Sequence, residues 1–258
     1  MRLIDLSSPI DADFWEAEPM EHKVMTPAEA AVYMTDGMRE QFGVDLDPAV
    51  LPDGEFLNQD ILTVSTHIGT HVDAPSHYGT RTGHGGPPRT IDEMPLDWFQ
   101  RPAFVLDVRG AGTGAVGADV LAEELARIGY RPQPLDIALI HTGASAWVGT
   151  QRYFTEFTGL DGSAVDFLLD FGVKVIGTDA FSLDAPFSDI IRRYRETGDR
   201  SVLWPAHFAG REREYCQIER LGGLDALPRP SGFTLTCFPV KIARAGAGWT
   251  RAVATVED

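Results

Sequence analysis

The sequence predicts a mixed α/β fold in a single domain. Segments with the composition of strands alternate along the chain with segments that carry helix signals, and the strands are in excess. The 258 residues, 43% of them hydrophobic, are enough to form one sizeable core. We therefore expect one domain over residues 1–258.

The first part of the chain is predicted to hold a strand, a helix and a second strand. A short apolar stretch at residues 3–6 predicts the first strand. A helix is predicted over 27–42, because Thr26 can cap it and Glu29 occupies the capping-box position. The apolar, β-branched run at 61–64 predicts a buried strand.

The rest of the chain is predicted to alternate between strands and helices. Apolar runs rich in β-branched residues predict strands at 104–108, 140–142, 173–176, 233–242 and 251–256. Capping and glycine signals predict helices at 119–128, with Asp119 as the cap, at 163–171 and at 187–195.

The charge and cysteine content of the chain limit its partners and its location. A net charge of −16 repels phosphate backbones and anionic lipids, so we expect neither nucleic acid nor a membrane as partner. No apolar run approaches the roughly 20 residues that span a bilayer, and no signal peptide is recognised at residues 1–10. Cys216 and Cys237 are well separated, which predicts reduced thiols in a cytoplasmic protein.

Residues 65–78 read S-T-H-I-G-T-H-V-D-A-P-S-H-Y and contain three of the seven histidines. A helix is disfavoured by Gly69 and Pro75, and it would point residues 71 and 73 in different directions. On an extended chain, alternate positions share one side. We therefore predict a strand that continues into an extended loop and presents on one face His67, His71, Asp73 and His77.

This combination of side chains predicts a metal site. Imidazole nitrogen and carboxylate oxygen together suit zinc, manganese or iron(II). Neutral imidazole and ionised carboxylate are both available at pH 7, so a metal should not have to displace tightly held protons. The alternative is a loop with surface histidines, but three histidines and an aspartate on one side of the segment favour a metal.

The same segment carries a family resemblance. H-x-G-T-H-x-D-x-P-x-H is the signature of the metal-dependent cyclase family, which includes bacterial kynurenine formamidases and isatin hydrolases, and every fixed position is matched at residues 67–77. Residues 140–149, 177–184, 207 and 218–227 resemble later motifs of the family, and the similarity covers most of 60–256. Residues 20–58 match poorly, which predicts an acidic, helical insertion specific to this branch.

The resemblance implies a fold, an assembly and a set of site residues. The fold would be a mixed sheet or flattened β-barrel with surrounding helices, of the swivelling β/β/α type, in homodimers or homotetramers. A first metal would be held by His67, His71 and Asp73, and a second by Asp73, His207 and Glu219, so that the chain binds one or two zinc or manganese ions. His77 would be the catalytic histidine. Asp179 and Asp184 are expected to be structural or to orient the ligands.

The activity expected from this resemblance is hydrolysis of an amide, formamide or lactam C–N bond in a small aromatic substrate. Metal-bound hydroxide would attack the carbonyl and His77 would transfer the proton. Phe14, Trp15 and Trp147 are predicted to face the substrate. Two alternatives remain open: a cyclase or dehydratase of secondary metabolism that uses the same metal site, and a small-molecule-binding protein without catalysis.

Overall fold

The structure, a computed structural model, describes residues 1–257. The strands are β1 (Arg2–Asp5), β2 (Glu21–Met25), β3 (Gln59–Thr63), β4 (His71–Asp73), β5 (Gln100–Asp107), β6 (Gly114–Val116), β7 (Ile137–His141), β8 (Thr158–Leu160), β9 (Val175–Thr178), β10 (Cys216–Glu219), β11 (Ser231–Thr236), β12 (Ala247–Trp249) and β13 (Val253–Val256). The helices are α1 (Pro27–Phe42), α2 (Ala118–Ile128), α3 (Gln151–Thr155), α4 (Gly162–Asp170), α5 (Phe187–Thr197) and α6 (Pro205–Glu212). Within residues 1–257, none of the helices has the length and apolar character needed to cross a membrane.

The chain divides into two compact units, one formed by residues 1–17 with the chain from 66 onward and one formed by residues 18–65. The smaller unit holds α1 and the antiparallel pair of β2 and β3. The predicted helix is confirmed: the Thr26 side chain accepts from the Glu29 N–H, and the Glu29 carboxylate accepts from the Thr26 N–H. The predicted buried strand at 61–64 is wrong, because β3 is exposed and, among residues 1–257, pairs with β2 alone.

The larger unit is built on a nine-stranded sheet in the order β1-β13-β11-β5-β7-β9-β10-β4-β12. The pairs β5–β7, β7–β9 and β9–β10 are parallel, and the other pairs are antiparallel. The sheet curls into a half-barrel with helices around it. The predicted mixed α/β fold is therefore confirmed, whereas the single domain and the branch-specific insertion at 20–58 stay predictions.

The core lies on both faces of the sheet, because the central strands are apolar on both sides. In β5, Ala103 and Val105 belong to one buried cluster, whereas Phe104 and Leu106 belong to the other. Strand β7 divides its residues in the same way. Continuous apolar runs of this kind are typical of parallel strands covered on both faces.

Two element boundaries differ from the prediction. The strand predicted over 233–242 ends at Thr236, before Pro239, which has no N–H to donate to a ladder. Helix α2 begins at Ala118 with Gly117 at the capping position, where Asp119 was predicted to cap it. The helix ends as predicted at Gly129, whose φ of 64° is left-handed.

Candidate metal centre

The histidine-rich stretch lies near one edge of the large sheet, on strand β4. This strand pairs antiparallel with β10 on one side and with β12 on the other. In the register with β10, Glu219 lies opposite His71. The sheet therefore brings a carboxylate from late in the chain next to the early motif.

The predicted extended face from residue 67 to 77 is wrong, although its side chains still converge. Only residues 71–73 are extended, because Gly69 has a left-handed φ of 73° and a 3₁₀ turn occupies Pro75–Tyr78. A side chain at Gly69 would also place Cβ 2.5 Å from Cγ1 of Ile10. These bends leave the ring centroids of His67 and His77 4.2 Å apart.

The orientation of His71 is set by its own loop. Its Nδ1 lies 2.9 Å from the carbonyl oxygen of Gly69, to which it donates, so the lone pair is on Nε2. Nε2 lies 3.3 Å from Oδ1 of Asp73 and 3.8 Å from Oε2 of Glu219. The side chain is fully buried. His71 is therefore arranged as a nitrogen donor that faces two carboxylates.

Asp73 lies between the two groups of imidazoles. Its Oδ1 lies 3.0 Å from Nδ1 of His67, and its Oδ2 lies 3.9 Å from Nε2 of His207. Both oxygens are buried, and within residues 1–257 neither accepts a hydrogen bond of good geometry, although the imidazoles of His67 and His71 lie close to Oδ1. Burial would raise the pKa of Asp73, but the neighbouring imidazoles, first of all His71, hold it well below its usual range. A buried, ionised carboxylate without good hydrogen bonds is costly, and a bound cation would compensate it.

His207 and Glu219 form the second part of the cluster. His207 lies in the first turn of α6, and its Nδ1 is 2.5 Å from Oδ2 of Asp184. Its Nε2 is 3.7 Å from Oε1 of Glu219, which also accepts the N–H of Leu183 at 2.8 Å. Asp184 thus orients the histidine, as expected for one of the two aspartates. Asp179 instead accepts the N–H groups of the turn after β7.

The donor atoms form two overlapping groups that differ from the predicted ligand sets. One group is His67, Asp73 and His77, the other is His71, Asp73 and Glu219, and the donor atoms within each group lie within 4.8 Å of one another. Asp73 is common to both groups, as it is to the two predicted ligand sets. The five predicted ligands and His77 are brought together, and their assignment to particular ions stays a prediction.

The protonation states of the histidines differ from one another. Burial would lower the pKa of His207, but Asp184, with Glu219 and Asp73, raises it to about 9. Burial raises the pKa of Glu219, and the charge of Asp73 raises it further. A metal bound by His207 would therefore have to displace the proton of that ring.

His77 has the opposite environment. Burial of the ring and the nearby imidazoles of His67 and His207, despite the attraction of Asp73, lower its pKa to about 4. Its ring centroid lies 5.5 Å from that of His207, and the residue retains access to solvent. His77 is therefore a neutral imidazole at the accessible side of the cluster.

The three aromatic residues predicted to face the substrate lie on two adjoining segments. The ring of Phe14 covers Gly149, and the N–H of Trp15 donates to the Gly149 carbonyl at 3.1 Å. One face of Trp147 is covered by the guanidinium of Arg152, at 3.6 Å from the ring centroid. Their contact with a substrate stays a prediction.

One contact beside the cluster was not found from the sequence. Arg220 directly follows Glu219 and forms a buried ion pair with Glu16, at 2.8 Å. Its sequence context, I-E-R-L, resembles any strand end. Only the fold brings residue 16 to residue 220, so no local pattern could have predicted the pair.

Comparison with known proteins identifies related sequences and a shared fold. The kynurenine formamidase of Salinibacter ruber (strain DSM 13855 / M31) is 30% identical over 201 residues, which are 78% of this chain and 81% of the relative. The kynurenine formamidase of Paracidovorax citrulli (strain AAC00-1) is 28% identical over 207 residues, with 76% and 79% covered. Isatin hydrolase A from Labrenzia aggregata, solved with benzyl benzoate bound, has a TM-score of 0.74 at 21% identity and covers 100% of this chain and 94% of its own.

The match extends to a whole family. The family model named Cyclase, with the description "Putative cyclase", matches residues 4–185, which is well over half of the chain and includes the histidine-rich motif. With the converging histidines and carboxylates and the shared fold, this match shows that the chain belongs to the Cyclase family.

Proposed function

We propose that this chain is a metal-dependent hydrolase that cleaves an amide, formamide or lactam C–N bond in a small aromatic compound. The observation that carries the proposal is the buried carboxylate of Asp73, which accepts no hydrogen bond of good geometry within residues 1–257 and is surrounded by imidazole nitrogens and Glu219. The curated relatives named kynurenine formamidase, each matching about three quarters of the chain, support the same reaction class.

The donors fit a divalent transition metal. Nitrogen and oxygen ligands without thiolates suit zinc or manganese, and the ligands would be His67, His71, Asp73, His207 and Glu219, for one or two ions. Such an ion, when bound, polarises a carbonyl group and lowers the pKa of water from about 16 to about 7. The chain itself supplies the orientation: Gly69 fixes the ring of His71, and Asp184 fixes the ring of His207.

His77 is assigned to proton transfer. It is neutral at pH 7 because its pKa is about 4, so it can accept a proton as water adds to the carbonyl carbon. The protonated ring is then a strong acid, and it donates that proton to the leaving nitrogen as the C–N bond breaks. Water is thereby added across the bond, and the products are a carboxylic acid and an amine.

Substrate contacts, assembly and cellular location complete the proposed function. Phe14, Trp15 and Trp147 are proposed to contact the ring of the substrate. We propose assembly as a homodimer or homotetramer, and a cytoplasmic location in accord with the two free thiols of Cys216 and Cys237.

Metal analysis and turnover test the proposal together. Purified protein, free of chelator, should contain about one or more equivalents of zinc or manganese and convert N-formylkynurenine, isatin or an aryl formamide. The products together should exceed the substrate by the mass of one water, as a ring-opened lactam or as an amine plus a carboxylic acid, whereas cyclisation or dehydration would leave the total mass of the organic product unchanged or reduce it. A protein that only binds would show no turnover. His71→Ala should lose metal and activity, and His84→Ala, at an exposed loop histidine, should keep both.

A further inference from the structure

A connected group of aromatic rings includes residues from segments that adjoin the proposed metal ligands along the chain. Trp15 and Phe154 have ring centroids 5.9 Å apart, and Phe154 lies 4.8 Å from Phe181 and 5.5 Å from Phe187. Phe187 in turn lies 5.3 Å from Trp204. We call these five residues the aromatic wall. Trp15 and Phe187 are 40% and 37% exposed, so the wall presents ring surface to solvent.

The wall is attached to the segments that hold the metal-centre side chains. Phe181 is followed two residues later by Leu183, whose N–H donates to Glu219. Trp204 directly precedes α6, which carries His207. Short stretches of chain therefore connect Phe181 and Trp204 to the segments that carry the proposed ligands.

Trp15 is the one member of the wall that comes from the N-terminal arm, residues 11–17. The arm is fastened to the larger unit by the N–H of Trp15, which donates to Gly149, and by Glu16. Both carboxylate oxygens of Glu16 accept from Nη1 of Arg220, at 2.9 and 2.8 Å, and the two side chains are only 13% and 6% exposed. The guanidinium also lies over the ring of Phe181, 4.2 Å from its centroid.

Position 220 carries an arginine although its backbone conformation favours glycine. Arg220 has a left-handed φ of 60°, a conformation that glycine adopts without strain and other residues rarely adopt. Its carbonyl oxygen accepts from Oγ1 of Thr70, which in turn accepts the N–H of Ser8. Arg220 thus joins the metal-binding loop, the N-terminal arm and the aromatic wall at one point.

We propose that the ion pair of Glu16 and Arg220 holds the N-terminal arm so that Trp15 completes the aromatic wall, and that this wall binds the aromatic ring of the substrate. The inference rests on the proposed hydrolase function and names the part of the site that selects an aromatic compound. Arg220 and Glu16 are positioning residues, since they act through Trp15. Breaking a buried pair leaves an uncompensated charge, which should release the arm.

Three variants test the inference with formanilide as substrate. Glu16→Gln and Trp15→Ala should each raise KM by about tenfold or more and leave kcat within about threefold, because a binding contact is lost and the chemistry is not. Metal content should equal that of the parent. Asp5→Asn is the matched control: it removes the exposed pair of Asp5 with Arg251, also near the N-terminus, and should change neither constant.

Limited proteolysis with chymotrypsin measures how firmly the N-terminal arm is held, independently of activity. Glu16→Gln should be cleaved at residues 14–15 several times faster than the parent, whereas Asp5→Asn should be cleaved at the parent rate. An unchanged cleavage rate and an unchanged KM in Glu16→Gln would overturn the inference. Loss of metal in Glu16→Gln would also overturn it, since the pair would then support Glu219 and not the arm.

A second readout separates this inference from the proposed function. If the parent hydrolyses no aryl amide, the hydrolase proposal fails. Calorimetry with acetanilide then shows whether the aromatic wall binds an aromatic ring. Weaker binding in both Glu16→Gln and Trp15→Ala, with parental binding in Asp5→Asn, supports the wall as an aromatic site. Equal binding of acetanilide in all four proteins, or no binding in the parent, would exclude the aromatic wall as a binding site.

Discussion

Asp184 binds His207 through both its ring and its backbone. Oδ2 of Asp184 accepts from Nδ1 of His207 at 2.5 Å and from the backbone N–H of His207 at 3.0 Å, and Oδ1 accepts the N–H of Ala206 at 2.7 Å. Trp204, at the capping position of α6, provides no side-chain cap. One buried carboxylate therefore both satisfies the first turn of the helix and directs Nε2 of His207 towards Asp73 and Glu219.

Asp184→Asn should weaken metal binding at the His207 side of the cluster. The amide is a poorer acceptor for the ring N–H, so affinity for the more weakly held ion should fall by about 10–100-fold. Titration of chelator-treated protein with zinc or manganese measures this. Asp199→Asn, at an exposed turn before α6, is the control and should bind as the parent does. Parental affinity in Asp184→Asn would show that the ring needs no such partner.

The raised pKa of His207 should make the metal-free protein lose stability at alkaline pH. The folded-state pKa of about 9 lies above the ordinary value of 6.5, so the contribution is complete below pH 6.5 and is lost as pH rises through 9. Its full size is about 3 kcal/mol. Denaturant unfolding with chelator at pH 6 and pH 9.5 should show a larger loss in the parent than in His207→Gln.

The matched control for this titration is His84→Gln, which changes an exposed loop histidine and should lose as much stability as the parent. An equal loss in the parent and His207→Gln would contradict the assigned pKa.

The sequence indicated which early side chains form the candidate cluster, but it did not predict how the chain brings them together. His67, His71, Asp73 and His77 follow one another closely, and their chemical types alone indicated a metal. Their arrangement was mispredicted, because period-two alternation assumes a regular strand and the chain bends at Gly69 and again at residues 75–78. The local sequence pattern identifies the candidate donor side chains, and the turns of the chain determine how those side chains converge.

The late half of the site depended on the family resemblance. His207 and Glu219 are unremarkable in isolation. The pairing of β10 with β4 joins Glu219 to the motif, and His207 reaches the cluster from α6, where Asp184 holds its ring. Exposure in the small unit was mispredicted for a related reason: 61–64 is apolar, but within the part of the chain that the structure describes β3 pairs with β2 alone and stays exposed. Long-range pairing decides both outcomes, and it leaves no local signal in the chain.

Glu219→Gln should reduce metal content less than His71→Ala. Glu219 lies 3.7 Å from Nε2 of His207 and is assigned to the second ion, whereas His71 belongs to the loop with His67 and Asp73. Elemental analysis should find about one equivalent in Glu219→Gln if the parent holds two, and far less in His71→Ala. Equal and complete loss of metal in both variants would show that Glu219 binds both ions. Its distance of 3.8 Å from Nε2 of His71 would permit this.

His77→Ala should separate the chemistry from metal binding. His77 lies in the 3₁₀ turn after β4, has access to solvent and is neutral at pH 7 because its pKa is lowered to about 4, so its ring is free to accept a proton. General acid–base catalysis contributes about 10²–10⁴-fold, so kcat for an aryl formamide should fall by that factor. Metal content should stay at the parental level, because His67, His71 and Asp73 remain, and His84→Ala should match the parent in both measurements. Loss of metal together with activity would instead make His77 a ligand, as its place within 4.8 Å of donors on His67 and Asp73 permits. Unchanged kcat would remove His77 from the mechanism.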